Sequence, residues 1–212
     1  MKKKSDLLIS VILFVTSIFS FTYAQETGSM TDPRDGRVYK TVKIDGREWM
    51  SENLAFKTES GFSVYEEVRD YSKAHGYLYT WEAATKACPD GWHLPSMQEW
   101  WFLSNFLGGD EVSGGKLKQA GTASWESPNT GATNSSGFTA LAGGQAGDKA
   151  MEHLGKTAFF WTNVDDDDAT SWCGALYYDR ADLALYPVEK KNGFSVRCIK
   201  NSESNEKAFD FW

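Results

Sequence analysis

Cysteine is scarce in this chain of 212 residues: there are three, Cys88, Cys173 and Cys198. In an exported chain three thiols allow one bridge and leave one thiol over, so a framework of several disulfides is excluded. Clustered basic residues are also missing once the first few positions are set aside. Taking Lys2, Lys3, Lys4 and Asp6 from the 22 basic and 29 acidic residues leaves 19 against 28, a net charge of −9. A chain this acidic repels phosphate backbones, which argues against nucleic-acid binding. The spaced Asp-x-Asp-x-Asp-Gly pattern of a calcium-binding EF-hand does not occur. There is no internal repeat. The aromatic ending Phe209, Phe211 and Trp212 lacks the series of ten-residue alternating strands that a membrane barrel needs.

The beginning is more informative. Three lysines lead into an apolar block, Leu7 to Phe21, and then into Thr22-Tyr23-Ala24. That order is a secretory leader cleaved between Ala24 and Gln25. An uncleaved anchor is the competing reading, because the block falls only slightly short of the roughly 17 to 25 residues of a span. No cysteine follows the block, which disfavours a lipid-anchored exit. Cleavage predicts an exported protein, extracellular, periplasmic or surface-associated, with no membrane span left. The remaining 188 residues suit one domain with a full core, and 15% aromatic content with nine tryptophans argues against disorder. We divide the chain into a leader (1–24), a polar lead (25–36), one domain (37–200) and a tail (201–212).

From Arg37 extended runs flank Asp45-Gly46, a strong hairpin signal because both central residues of a type I′ turn need positive φ. In "TWEAATKAC" Thr80 is placed to cap a helix whose buried face is Trp81, Ala84 and Cys88, ending before Pro89. In "SMQEWWFLSNFLGG" Ser96 and Glu99 form a capping box, Trp100, Leu103 and Leu107 face inward, and Gly108-Gly109 stops the helix. Residues 114–136 have little periodicity and predict a long irregular region, the kind of segment that often carries function. Short runs then alternate with turn residues ("GFTALAGG", "TAFFWTNV", "SWCGALYYD", "LALYPV", "GFSVRCIK"), which predicts an antiparallel meander.

Taken in order, "DPRDGRVYKTVKIDGREWMSENL", "YLYTWEAATKACPDGWHLPSMQEWWFL", "GGKLKQAG", "SSGFTALAGG", "FFWTN" and "NGFSVRCIK" resemble the Fibrobacter succinogenes major paralogous domain, over roughly residues 31–200. That family is found in exported bacterial proteins and is similar to the C-type-lectin-like fold. The resemblance implies an α+β domain: two helices packed on twisted antiparallel strands, long irregular loops and an N-terminal β-hairpin. It also implies that Cys88 on the first helix is bridged to Cys198 on the last strand, leaving Cys173 over. Such a bridge closes about 110 residues, and the chain-entropy model gives it roughly 4 to 5 kcal/mol. No catalytic residues come with the family. Its fold relatives point three ways: sugar recognition, protein recognition, or the oxygen-dependent chemistry of formylglycine-generating enzymes.

The residues favour recognition. His93 reads as a histidine hydrogen-bonded where a loop meets a helix, since geometry rather than residue type identifies a base. A formylglycine-type enzyme needs a reactive cysteine pair, and Cys173 alone, flanked by "SWCGA", has no nearby base or cation to lower its pKa. The chain is therefore expected to be non-enzymatic and to need no cofactor. Calcium is the one metal considered, at the acidic turn with Asp165 and Asp167 as ligands. The Glu-Pro-Asn and Trp-Asn-Asp triplets of sugar-binding C-type lectins are absent. Trp125 and Trp172, the tryptophans least readily assigned to a helix stripe, are the candidate sugar platforms, with Tyr178 and Arg180 as polar contacts. The expected partner is a glycan, the alternative an envelope or extracellular protein, and the sequence carries no signal for an oligomeric state.

Overall fold

A computed structural model describes residues 25–65, 69–147 and 150–202. The leader, its cleavage position before Gln25 and the aromatic chain end lie outside those residues, Gln25 being the first one described.

The chain opens with strands β1 (Thr27–Thr31), β2 (Val38–Ile44) and β3 (Arg47–Met50). Asp45 and Gly46 both take positive φ, so the predicted tight turn closes β2 on β3 with Ile44 opposite Arg47. The polar lead is part of this sheet, since β1 pairs antiparallel with β2, Thr27 opposite Val42. Asp32 anchors it: its buried carboxylate accepts the backbone N–H, Nε and Nη2 of Arg34. Arg34 in turn donates to the Ala87 carbonyl and lies 3.6 Å from the centre of the Phe56 ring.

Next come β4 (Phe62–Ser63), α1 (Arg69–His75), β5 (Leu78–Tyr79) and α2 (Trp81–Ala84). Helix α2 is shorter than the sequence suggested, and Thr80 precedes it without a side-chain cap. After Ala84 the N–H groups of Lys86 and Ala87 reach carbonyls three residues back, so the chain tightens into turns before Pro89. Strand β6 (Trp92–His93) leads into α3 (Met97–Phe106), whose start carries the complete capping box. Trp100, Leu103 and Leu107 are buried as their spacing requires.

Helix α4 (Asp110–Leu117) overturns the expectation of an irregular chain from Gly114. Gly114 and Gly115 are not loop residues here. A Cβ on Gly114 would lie 2.0 Å from the Asp182 carbonyl oxygen, and one on Gly115 would lie 2.3 Å from that of Gly131. The pair lets two backbone segments touch the helix, and the N–H of Gly115 donates to the Ala181 carbonyl.

After β7 (Gln145–Ala146) and β8 (Met151–Glu152), the strands β9 (Thr157–Asp165), β10 (Thr170–Tyr177) and β11 (Ala184–Glu189) form the predicted meander, in spatial order β11-β10-β9. "GFTALAGG" is not a strand; it contributes only isolated bridges, Ala140 to Lys118 and Gly144 to Ala158. The last run yields β12 (Ile199–Lys200), inserted between β3 and β6 to give the order β1-β2-β3-β12-β6. The architecture is thus a mixed α and β domain of few helices and several antiparallel sheets.

Two large apolar clusters, and a small third one of Tyr65, Leu78 and Ala146, fill the interior. One joins Val42, Ile44 and Trp49 of the hairpin to Trp100 and Leu103 of α3, with Trp125, Phe138 and Phe160. The other gathers Tyr39, Met50, Tyr79, Ala84, Trp161, Cys173, Phe194 and Cys198. Arg197 is fully buried, and its guanidinium lies 4.5 Å from the centre of the Phe138 ring and 5.6 Å from that of Phe160. Its N–H groups donate to the carbonyls of Met50, Phe138 and Thr139 and to Asn53 Oδ1, which solvates the charge without a carboxylate in contact. Cys88 and Cys198 are bonded, with Cα atoms 5.8 Å apart, and Cys173 is a buried free thiol. Among the described residues no helix is long and apolar enough to cross a membrane.

Candidate functional site

A groove of about 790 Å³ opens between the N-terminal hairpin and the start of α3. Thr41, Lys43, Arg47 and Glu48 form one wall, and Gln98, Glu99 and Phe102 the other. His93 and Ile199 line it between them, and Asn163 and Asn201 also contribute. The hairpin turn projects Lys43 and Glu48 directly opposite each other, while Val42 and Trp49 of the same strands are buried in the core. The capping box fixes the other wall by setting where α3 begins.

His93 links these parts. Its Nε2 lies 2.8 Å from Glu99 Oε1 and its Nδ1 lies 2.6 Å from Asn201 Oδ1. With oxygens on both sides, the geometry favours the doubly protonated ring. The Glu99 hydrogen bond is the main cause that raises the His93 pKa above its ordinary 6.5; burial opposes it and Asn201 adds to it. For Glu99, burial alone would raise the pKa, but His93 and the Ser96 bonds outweigh it and hold the carboxyl below 4.5. His93 is thus bonded at the junction of strand and helix, as the sequence suggested, and it also lines the groove.

The ions of the groove are paired within the protein. Lys43 meets Glu26 at 3.4 Å, Arg47 meets Asp45 at 2.9 Å, and Lys200 meets Glu48 at 2.9 Å. Burial pushes the Glu48 carboxyl up, and the bonds from Lys200 and Thr41 more than reverse this. With positive and negative groups balanced, the groove does not concentrate one sign of charge. The carboxamides of Gln98 and Asn163 are exposed and have no side-chain hydrogen bond among the described residues. Phe102 supplies an apolar wall, with the Arg47 guanidinium 4.9 Å from its ring centre. The surface offers hydroxyl-matching donors and acceptors beside an aromatic ring.

None of the four residues proposed from sequence as sugar contacts lines this groove. Trp125 is corrected outright: it is 1% exposed, packed in the first core cluster, with Nε1 donating to the Ala140 carbonyl. Its segment lacks periodicity yet is pulled inward, between the end of α4 and Ala140, which are tied together: the Gln119 N–H donates to the Ala140 carbonyl and the Ala140 N–H to that of Leu117. Trp172 is half-buried on β10 opposite Pro187. Tyr178 packs partly buried against the first cluster. Arg180 is exposed, 4.1 Å from the Tyr177 ring centre, and pairs with Asp182 at 3.3 Å. The loop bearing both is fastened by Lys118, whose buried ammonium donates to the carbonyls of Thr130, Tyr177 and Arg180 at 2.9, 2.8 and 2.7 Å. Burial pushes that ammonium down to about 8, with Asp179 and Asp182 opposing.

At the acidic turn Asp165 pairs with Lys190 at 2.6 Å. Asp167 Oδ1 accepts the N–H groups of Ala169 and Thr170 and the Thr170 hydroxyl. Those bonds hold its carboxyl below the ordinary 3.8. The two carboxylates proposed for calcium serve the β9–β10 turn, and no group of three acidic, histidine or cysteine side chains converges among the described residues. Burial pushes the Cys173 thiol up to about 12.

Sequence reasoning overlooked the groove because its residues come from five separate stretches. The one local signal was the polar face of the hairpin, Thr41, Lys43 and Glu48, opposite its apolar face.

The molecule so described is a disulfide-closed α and β domain with a charge-balanced groove at the base of its N-terminal hairpin. The Fibrobacter succinogenes major domain matches residues 42–200 of the chain, and the chain belongs to that family. No curated protein and no solved structure matches it.

Proposed function

We propose that this is a recognition domain of the cell exterior that binds neutral glycans in the groove and performs no chemistry on them. The carrying observation is the lining itself: paired ions, unpartnered carboxamides on Gln98 and Asn163, and the Phe102 ring. Phosphorylated or strongly charged ligands would meet no excess of opposite charge there, whereas a sugar presents hydroxyls to the amides and an apolar ring face to Phe102. The non-enzymatic reading is supported by the state of the cysteines, two bonded and one buried with its thiol pushed to about 12. The leader and the disulfide support export. We also read the arrangement as C-type-lectin-like, on the family resemblance and on the bridge that ties the chain after α2 to the residue before β12.

Titration calorimetry against short neutral saccharides, disaccharide to trisaccharide, tests the reading. Binding should weaken about tenfold in Gln98→Ala with Asn163→Ala, two lost hydrogen bonds at roughly 0.5 to 1.5 kcal/mol each. Heats indistinguishable from buffer for every saccharide would overturn it. Recovery of a single cross-linked envelope protein at the groove would instead favour protein recognition.

A further inference from the structure

Helix α3 carries exposed aromatic surface beyond the part of it that lines the groove. Trp101 is 54% exposed and Phe106 is 60% exposed, the two largest exposures among its aromatic residues. At 100° per residue, Trp100, Leu103, Ser104 and Leu107 form the inward face, and Gln98, Trp101, Phe102, Asn105 and Phe106 the outward one. Phe102 stands between Trp101 and Phe106 on this face. It lines the groove, meets the Trp101 ring edge-on at 5.3 Å, and precedes Phe106 by one helical turn. That turn advances about 6 Å along the axis, a spacing comparable with a pyranose ring. Asn105, between Trp101 and Phe106, donates to the Trp101 carbonyl and is turned onto the helix. Exposed aromatic rings next to a groove wall are the kind of apolar surface that binding sites use.

We propose that the groove and this aromatic face form one extended site, so that the ligand is a neutral, extended polysaccharide rather than a terminal sugar. The sugar units held by Gln98, Asn163 and Phe102 continue along α3, where the next stacks on Phe106, about 40° around the helix from Phe102; Trp101, on the other flank of Phe102, borders that line. Extended chains whose sugar rings present flat apolar faces are the chemical class that fits an aromatic track. This rests on the glycan reading of the groove, and the experiment separates the two.

Affinities of native protein and of Trp101→Ala with Phe106→Ala are measured for neutral β-linked glucan and mannan oligosaccharides from disaccharide to octasaccharide. Both substituted residues are exposed, and circular dichroism with thermal melting verifies that the variant is folded. The native protein should bind the octasaccharide about tenfold or more tightly than the disaccharide, and the variant should lose that gain while holding the disaccharide as before. A variant with native affinity at every length would overturn the extended site and leave the groove reading intact. Native protein that binds no saccharide of any length would overturn the groove reading itself, and the extension with it.

Discussion

Opening the Cys88–Cys198 bridge is the perturbation whose size follows most directly from the fold. The cysteines stand 110 residues apart, and the bond joins the chain after α2 to the residue preceding β12. Releasing a loop of that length returns about 16 cal/mol/K of entropy to the denatured chain, or about 5 kcal/mol at 25 °C. That equals the full stability of many domains of this size. Two samples separate the causes. Native protein treated with a reductant keeps both sulfur atoms and loses only the cross-link, whereas Cys88→Ala with Cys198→Ala also removes side-chain volume from the second core cluster. Urea unfolding followed by tryptophan fluorescence should show the reduced protein shifted down by roughly 2 to 3 M, taking a slope of about 2 kcal/mol/M. The slope itself should rise, since an uncrosslinked chain exposes more surface. The double variant should lie lower still, and thiol counting in denaturant should find Cys173 alone free in the oxidised protein. A shift below about 0.5 M on full reduction would refute the reasoning, because it would mean that the bridge does not constrain the unfolded chain.

The His93–Glu99 pair predicts a pH window. His93 has a folded pKa above 6.5, so its contribution to stability is fully present below 6.5 and is lost as pH rises through the folded value. Glu99 has a folded pKa below 4.5, so its contribution is present above 4.5 and is lost as pH falls through the folded value. Buried His75 is shifted downward, which acts in the opposite sense near neutrality. The measurement is therefore the difference between native protein and Glu99→Gln, with NMR titration of each imidazole. His93 should titrate above 6.5 in native protein and fall in the variant, and an unchanged His93 midpoint would sink the pairing. In helix α4, Gly114→Ala should destabilise the domain by about 1 to 3 kcal/mol. The helix-propensity gain of about 1 kcal/mol is outweighed because the new Cβ would meet the rigid Asp182 carbonyl at 2.0 Å. A thermal midpoint equal to or above the native value would contradict the close approach.

Features encoded by neighbouring residues were legible. Asp45-Gly46 needs only its own backbone angles to close the hairpin, and Ser96 and Glu99 cap α3 with atoms three residues apart. The three-stranded meander was readable because turn residues punctuate β-prone runs. The α4 error shows the limit of that logic. Gly-Gly in a sequence weakens a helix, but here the helix needs the missing side chains, because Asp182 and Gly131 press on it from more than ten residues away. Trp125 fails in the same way. Local irregularity says how the backbone bends and nothing about which side of it faces water.

Taken alone, then, the amino-acid order determined the hairpin, the cap of α3, the three-stranded part of the meander and the family, and through the family the pairing of Cys88 with Cys198. Tertiary structure alone decided which aromatic rings are exposed, burying Trp125 while leaving Trp101 and Phe106 at the surface. It also brought Glu48, His93, Gln98, Asn163 and Asn201 around one groove. The reason is that hydrogen bonds of turns and caps form between residues close along the chain. Exposure and the walls of a groove are set by whatever distant segments pack alongside, which no short stretch of sequence records.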